Sequence, residues 1–218
     1  MKFKAILFMF NDFDRAEFVL SNFTKHHPDT PIRIINSGGE TPQLVKQASY
    51  IRLNNVDNIE IINAPNLWYG RSFDNRFFDY LFDYGLDEAY THMLYLETDV
   101  YTLRPITLEP EYDMAGIITG NGPGEQFLYE ELDLGWPHYH SGAGGTMFSL
   151  NYFQTIKKDF YHLYKELYEK YPNNYFQDMI GTLVSRLSGC TFGRWPDVQN
   201  MPCDVDEADC ALLHNYKI

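Results

Sequence analysis

The sequence lacks the motifs that identify several common classes of nucleotide-binding and membrane protein. No glycine occurs in "FMFNDFDR" after the first predicted strand, so the glycine-rich turn of dinucleotide-dependent oxidoreductases is absent. A P-loop is absent too, as is the Gly-, Arg- and Lys-bearing loop that a sugar-phosphate nucleotidyltransferase would carry there. No apolar run approaches the roughly 20 residues that span a bilayer. We therefore expect none of these enzymes and no integral membrane segment.

Cysteine is scarce, and its spacing is irregular. The three cysteines, Cys190, Cys203 and Cys210, form no C-x-x-C pair, so we expect no disulfide framework and favour a reducing compartment. That points to the cytoplasm, or to a host cytoplasm if the protein is viral. A Cys₃His zinc site with His214 is an alternative, but the long spacings lack the close ligand pairs of zinc modules.

Positive charge is also scarce. The chain has 17 Lys and Arg against 30 Asp and Glu, a net charge of −13, and no Lys/Arg-rich block. Such a surface repels nucleic acid, so no nucleic-acid partner is expected. A phosphate-bearing ligand would need a few placed Arg or Lys side chains, or a divalent cation, to offset the charge.

What the sequence does contain is enough apolar material for one α/β domain over residues 1–218. Apolar residues make up 44% of the chain and aromatic residues 17%. In the first half, strand-like and helix-like segments alternate, which predicts a mostly parallel sheet flanked by helices. The helical spacing of 14–25 turns Phe18 inward with its apolar neighbours. The predicted strands are 5–10, 32–35, 59–62 and 93–96, and the predicted helices are 14–25, 42–53 and 72–84.

The second half is richer in turns. Strands are predicted over 114–118 and 146–150, and helices over 151–168 and 174–187, the last with Leu187 on its inward stripe. From Gly189 onward the chain is predicted to be irregular.

Polar residues follow each predicted strand of the first half. In open parallel sheets, ligands gather beyond the carboxyl ends of the strands. Those ends carry Asn11-Asp12, Asn36-Ser37, Asn63-Ala64 and Glu97-Thr98-Asp99.

The segment "HMLYLETDVYTLRP" carries the strongest functional signal. An apolar strand runs directly into Glu97 and Asp99, and residues two apart in an extended chain point the same way. Two carboxylates this close repel unless a proton or a cation lies between them. A solvated acidic turn is the alternative, but a hard divalent ion would accept both and also bridge to phosphate oxygens.

"YLETDV" resembles the D-x-D motif of GT-A glycosyltransferases, with Glu in place of the first Asp. The resemblance implies a small stand-alone bacterial or large-DNA-virus enzyme with a single GT-A (Rossmann-like) domain. It implies that Asp99 ligates Mn²⁺ or Mg²⁺ and that Glu97 contacts ribose or the metal's shell. The implied reaction moves a sugar from a nucleotide-diphosphate donor, a UDP-sugar being favoured, to a hydroxyl of a glycan or other acceptor.

Further residues match this family loosely. His214 would complete the metal shell and Lys217 would contact the diphosphate, although a frayed polar tail explains both. Asp178 would be the general base of an inverting enzyme, but an Asp in the first turns of a helix is also favourable for the helix dipole. The implied donor-binding residues are Phe10, Asn11, Asp12, Asn36, Asn63, Arg71, Asn75, Glu97, Thr98, Gly144 and Lys217.

The resemblance assigns nucleotide binding to residues 1–100 and acceptor binding to 101–218. A different class of function stays open, namely a catalytically inactive domain that binds carbohydrate or nucleotide sugar. The 17 Tyr and three Trp residues would suit sugar stacking.

Overall fold

The computed structural model describes residues 1–69, 72–73, 75–119, 139–140, 144–170, 184–201 and 209–215. The helices are α1 (Phe13–His26), α2 (Ala48–Asn54), α3 (Asn75–Gly85), α4 (Leu150–Ile156) and α5 (Phe160–Lys170). The strands of the first half are β1 (Phe3–Met9), β2 (Ile32–Asn36), β3 (Ile59–Asn63), β4 (Trp68–Tyr69), β5 (Ser72–Phe73) and β6 (His92–Leu96). Those of the second half are β7 (Tyr101–Thr102), β8 (Met114–Gly116), β9 (Ile118–Thr119), β10 (Tyr139–His140), β11 (Thr146–Ser149), β12 (Phe192–Arg194), β13 (Val198–Asn200) and β14 (Leu212–His214).

A seven-stranded sheet in the order β12-β8-β11-β6-β1-β2-β3 forms the centre of the molecule. Strand β1 lies between β2 and β6, parallel to both, and β2 is parallel to β3. Strand β11 runs antiparallel to β6 and β8, while β12 is parallel to β8. The predicted mostly parallel α/β sheet is therefore confirmed.

Helices cover both faces of this sheet. Ile6 and Phe8 of β1 face a core with the aromatic side chains of α3, α4 and α5. Their neighbours Ala5 and Leu7 face the opposite core, which includes Phe13, Leu20 and Phe23 of α1. Because β1 is covered on both faces, its sequence is a continuous apolar run rather than an alternating one.

A three-stranded sheet, β13-β14-β7, holds the C-terminal part of the described chain. Strand β14 pairs in parallel with β13 and antiparallel with β7, which follows the β6 carboxylates. The prediction that the chain is irregular from Gly189 onward was therefore wrong. Strands of three residues are too short to produce a recognisable periodicity.

Two inward-facing side chains were also wrongly predicted. Phe18 is 41% exposed and stacks on Tyr101 of β7, with ring centroids 5.9 Å apart. Leu187 is 40% exposed, close to Gly189, whose φ of +81° ends the local helical turn. In both cases the buried face of the helix is narrower than the apolar spacing of the sequence predicted.

Several helix boundaries differ from the predictions. The helix predicted over 42–53 is a 3₁₀ turn at Leu44–Lys46 followed by α2. The helix predicted over 151–168 divides into α4 and α5, and the one predicted over 72–84 begins at Asn75. No helix in the described ranges is long and apolar enough to cross a membrane.

Candidate metal centre

The carboxylates predicted to bind a metal follow β6, a central strand of the main sheet. All five residues of β6 are buried, and Val100 behind the carboxylates is buried too. The backbone N–H of Val100 donates to the carbonyl of Glu97 at 3.2 Å, which closes a turn. The turn presents Glu97 and Asp99 together with His214 of β14, and one ligand atom from each lies within 4.8 Å of the others.

Glu97 is held in an ionised, well-bonded state. The Tyr95 hydroxyl donates to its Oε1 at 3.0 Å, and the Gly144 backbone N–H donates to its Oε2 at 3.1 Å. His214 Nε2 lies 3.3 Å from the same Oε2. Burial opposes ionisation, but His214 and these donors outweigh it and lower the pKa of Glu97.

The carboxylate of Asp99, unlike that of Glu97, is poorly hydrogen-bonded and has a raised pKa. Its Oδ1 is buried and accepts no hydrogen bond from the described residues, and it lies 3.8 Å from His214 Nε2. Burial raises the pKa of Asp99, and repulsion from Glu97 adds to it against the opposing effect of His214. A buried carboxylate oxygen without a donor is costly, so the environment of this atom suits a ligand of a cation.

His214 supplies the nitrogen of the cluster. It is buried on β14, 117 positions from Glu97 in sequence. Its Nδ1 lies 3.0 Å from Asn200 Oδ1, so that Nε2 faces the carboxylates. Two carboxylates and one imidazole fit a divalent ion such as Mn²⁺, and the carboxylates alone would suit Mg²⁺.

Three asparagines at the ends of β1, β2 and β3 form a second polar cluster on the same sheet edge. The Asn36 amide nitrogen lies 3.0 Å from Asn11 Oδ1, 2.9 Å from Asn63 Oδ1 and 3.1 Å from the Gly39 carbonyl. Its Oδ1 accepts from the backbone N–H of Asn11 at 2.8 Å and of Gly38 at 3.2 Å. Asn36 is fully buried, whereas Asn11 and Asn63 are half-buried. Asn36 therefore holds the other two asparagines in place. Direct contact between Asn36 and the nucleotide-sugar donor stays a prediction, which its burial disfavours.

The turn around this cluster needs unusual backbone geometry. Asn11 has φ +53°, in the left-handed region that Asn tolerates better than most residues. A Cβ at Gly38 would lie 2.3 Å from the Asn11 side chain. The two residues therefore fit together only with a glycine at position 38.

The other residues predicted to bind the nucleotide-sugar donor lie near the same sheet edge or the carboxylates. Phe10 is 55% exposed just beyond β1, and Asp12 caps α1 by accepting from the Arg15 backbone N–H at 3.4 Å. Thr98 is half-buried between the two carboxylates. A Cβ at Gly144 would lie 2.5 Å from Val100 Cγ2 and 3.0 Å from Glu97 Cβ, so this glycine backs the carboxylate directly. Donor contacts by these residues stay predictions.

Other predicted residues lie outside the described part of the chain, namely Arg71, Asp178 and Lys217. Asn75 is the first residue of α3, described through its backbone alone. Of the zinc alternative, Cys190 and Cys210 are buried, and Cys203 is outside the described residues. In the described ranges, the acidic and histidine cluster includes no cysteine.

Sequence reasoning missed three residues of this site. Tyr95 shares a strand face with Glu97, two residues away, so the alternation rule could have found it. Arg15, in the first turns of α1, lowers the pKa of Asp99 through its charge. Asn200 had no sequence signal, because the strand that carries it was predicted to be irregular.

Solved structures with a similar fold are glycosyltransferases. The galactosyltransferase LgtC, solved in complex with donor and acceptor sugar analogs, superimposes with a TM-score of 0.61 at 17% identity. The match covers 98% of this chain and 86% of LgtC. The chain has the GT-A fold.

A second GT-A structure is the glycosyltransferase GlyE of Streptococcus pneumoniae TIGR4. Its apo form matches with a TM-score of 0.56 and 16% identity over the whole of this chain and 55% of GlyE. This chain therefore spans about half the length of GlyE. No family model matches the chain, and no curated protein matches it in sequence.

Proposed function

We propose that this protein is a metal-dependent glycosyltransferase that transfers a sugar from a nucleotide-diphosphate donor, preferably a UDP-sugar, to a hydroxyl of a glycan or other acceptor. The observation that carries the proposal is the buried Asp99 Oδ1, which accepts no hydrogen bond from the described residues beside Glu97 and His214. A carboxylate oxygen in that state is best satisfied by a cation. The GT-A fold gives such a cation a partner, the donor diphosphate.

Asp99 and His214 would hold Mn²⁺ or Mg²⁺, with Glu97 as a ligand or as a contact to ribose. A divalent cation supplies Lewis acidity that stabilises negative charge on the leaving diphosphate. Glu97 accepts hydrogen bonds from Tyr95 and Gly144 that favour its ionised form, so it adds negative charge whichever of the two roles it takes. The cluster therefore offers a net negative site to a cation in an already acidic protein.

Residues 1–100 form the nucleotide side of the proposed site. Asn11 and Asn63 present half-buried amides beside exposed Phe10, an arrangement suited to hydrogen bonding and stacking with a nucleoside. Arg15 brings positive charge toward Asp99 and is a further candidate for contact with the diphosphate. We keep Arg71, Asn75 and Lys217 as sequence-based candidates for the same role.

Residues 101–218 form the acceptor side of the proposal. Asp178 is the proposed general base that would take the proton of the acceptor hydroxyl, which requires inversion at the anomeric carbon. The anomeric configuration of the product, read by ¹H NMR, tests this directly. Retention of configuration would exclude that role for Asp178.

The function is tested by thermal stabilisation and hydrolysis assays with UDP- and GDP-sugars, each with Mn²⁺ and with excess EDTA. We expect Mn²⁺-dependent stabilisation by one donor and slow release of its free sugar. Asp99→Asn should abolish both effects. Asp57→Asn, the same change at an exposed site, should leave them intact.

Each result separates the candidate functions. Metal-dependent donor binding without sugar release, in the presence of varied glycans, would favour the catalytically inactive binding domain. Equal donor binding in EDTA and in the Asp99→Asn protein would contradict the metal-dependent function.

A further inference from the structure

Asn200 lies beside the proposed metal ligand His214 on the neighbouring strand. Strands β13 and β14 pair in parallel with Asn200 opposite His214. Asn200 Oδ1 is 3.0 Å from His214 Nδ1, and the Asn215 amide nitrogen donates to the same oxygen at 2.6 Å. An amide oxygen has two lone pairs, so it can accept from both donors at once.

The bond from Asn215 determines which end of the Asn200 amide faces the imidazole. Only an oxygen can accept from the Asn215 amide nitrogen at 2.6 Å, so the Asn200 group that meets Nδ1 is an acceptor. Asn200 Oδ1, at 3.0 Å, is the nearer of the two groups and favours a proton on His214 Nδ1. The Asn215 nitrogen, at 3.1 Å, would favour a lone pair there instead, so the tautomer has to be measured directly.

This arrangement leaves the other ring nitrogen ready for a cation. With the proton of the neutral ring on Nδ1, the lone pair is on Nε2, which lies 3.3 Å from Glu97 Oε2 and 3.8 Å from Asp99 Oδ1. A ring that carried its proton on Nε2 would present a hydrogen to the cation and could not ligate it. The tautomer is thus as important as the position of the ring.

We propose that Asn200 is a positioning residue for the metal centre: by accepting the Nδ1 proton of His214, it selects the tautomer and ring orientation in which Nε2 binds the cation. The inference rests on the proposed function, because it needs the cation to be bound at Glu97, Asp99 and His214. Partners of this kind typically change metal affinity by about 10–100-fold when they are removed.

The backbone of His214 does not depend on the Asn200 side chain. The His214 carbonyl accepts from the Met201 N–H at 3.0 Å, and β14 pairs with both β13 and β7. Loss of the amide should therefore leave His214 in place and free only its ring. This separates a positioning role from a general role in stability.

The test compares three variants of the full chain by calorimetric titration with Mn²⁺ alone. Asn200→Leu keeps the approximate shape and removes the acceptor, so we expect Mn²⁺ to bind about tenfold more weakly, the low end of the range because Asn200 is exposed. Asn200→Asp keeps the acceptor and should bind at least as tightly as the wild type. Gln199→Leu, the matched control one residue away on the same strand, should bind like the wild type.

A second measurement reads the tautomer itself. In protein labelled with ¹⁵N-histidine and loaded with diamagnetic Mg²⁺, the side-chain ¹⁵N shifts of His214 should show a protonated Nδ1 in the wild type and in Asn200→Asp. They should change in Asn200→Leu. Thermal unfolding in EDTA checks that all variants fold.

The outcomes distinguish this inference from the proposed function. If the wild type binds Mn²⁺ and Asn200→Leu binds it equally well with unchanged ¹⁵N shifts, the role of Asn200 is wrong and the metal site stands. The same follows if Asn200→Asp weakens binding as much as Asn200→Leu. If the wild type binds no Mn²⁺, both the metal site and the role of Asn200 are wrong.

Discussion

The asparagine cluster and the acidic cluster lie on the same edge of one sheet, yet their hydrogen bonding is opposite. Asn36 is surrounded by partners for both its amide nitrogen and its oxygen. Asp99 has a buried carboxylate oxygen that accepts nothing from the described residues. One cluster satisfies its own hydrogen bonds, and the other offers a buried acceptor oxygen that no described residue satisfies.

This difference separates residues that hold a site from residues that bind within it. A satisfied buried network stabilises the fold and is costly to alter. An unsatisfied carboxylate costs free energy in the free protein and recovers it when its ligand binds. Substitutions in the first cluster should therefore act on folding, and those in the second on ligand binding.

The largest expected effect is that of Asn36→Asp. The change replaces an amide nitrogen by an oxygen that faces Asn11 Oδ1, Asn63 Oδ1 and the Gly39 carbonyl. An uncompensated buried charge of this kind should lower the free energy of unfolding by about 3–5 kcal/mol, measured by urea denaturation at neutral pH. Asn63→Asp keeps the acceptor oxygen and should cost less than about 1 kcal/mol. Equal losses in the two variants would show that Asn36 has no special place in the cluster.

His27 lies away from the site and should make the stability of the protein sensitive to acid. Burial lowers its pKa from 6.5 to about 4, and its Nε2 accepts from the Ile106 N–H at 3.1 Å, which requires a neutral ring. At a pH between these two pKa values, the unfolded chain binds the proton more readily than the folded protein does. Stability is therefore present above pH 6.5 and is lost as the pH falls to about 4, by about 3 kcal/mol in total.

The variant His27→Gln isolates this effect, because Gln can still accept from Ile106 but does not titrate. Its free energy of unfolding should fall less than that of the wild type over the same pH range. Parallel pH profiles for the two proteins would refute the assignment to His27.

Gly144→Ala should damage the acidic cluster through packing. Its Cβ would lie 2.5 Å from Val100 Cγ2 and 3.1 Å from the Glu97 backbone nitrogen, so one of them must shift, at a cost of about 1–3 kcal/mol. Because Glu97 moves with it, Mn²⁺ affinity should fall as well. Adding Val100→Ala makes room and should restore part of both losses. If Gly144→Ala is stable and binds Mn²⁺ normally, the close packing against Glu97 is contradicted.

The smallest expected effect is an increase in the free energy of unfolding rather than a decrease. In EDTA, Asp99→Asn removes a buried, repelled carboxylate and should raise the free energy of unfolding by about 1 kcal/mol. Asp57→Asn, at an exposed site, should change it by less than about 0.5 kcal/mol. Destabilisation by Asp99→Asn in EDTA would mean that the carboxylate is satisfied without a cation, and that the contrast between the clusters does not hold.

Local sequence patterns were enough to predict the α/β class and the position of the carboxylates. Continuous apolar runs predicted β1 and β6. Glu97 and Asp99 do project together toward His214, as predicted, but a turn closed by the Val100 N–H brings them together rather than an extended chain. These features depend on residues within a few positions of one another. Local periodicity is enough to reveal them.

How the site is completed depends on segments that are far apart in the chain. His214 lies 117 positions from Glu97 and was expected from the family resemblance, not from any local pattern. Asn200 meets it because β13 and β14 pair. Phe18 was assigned to the core by its spacing but stacks on Tyr101 of β7 at the surface. Pairing between distant segments depends on the packing of the whole chain, and a local pattern carries no information about it.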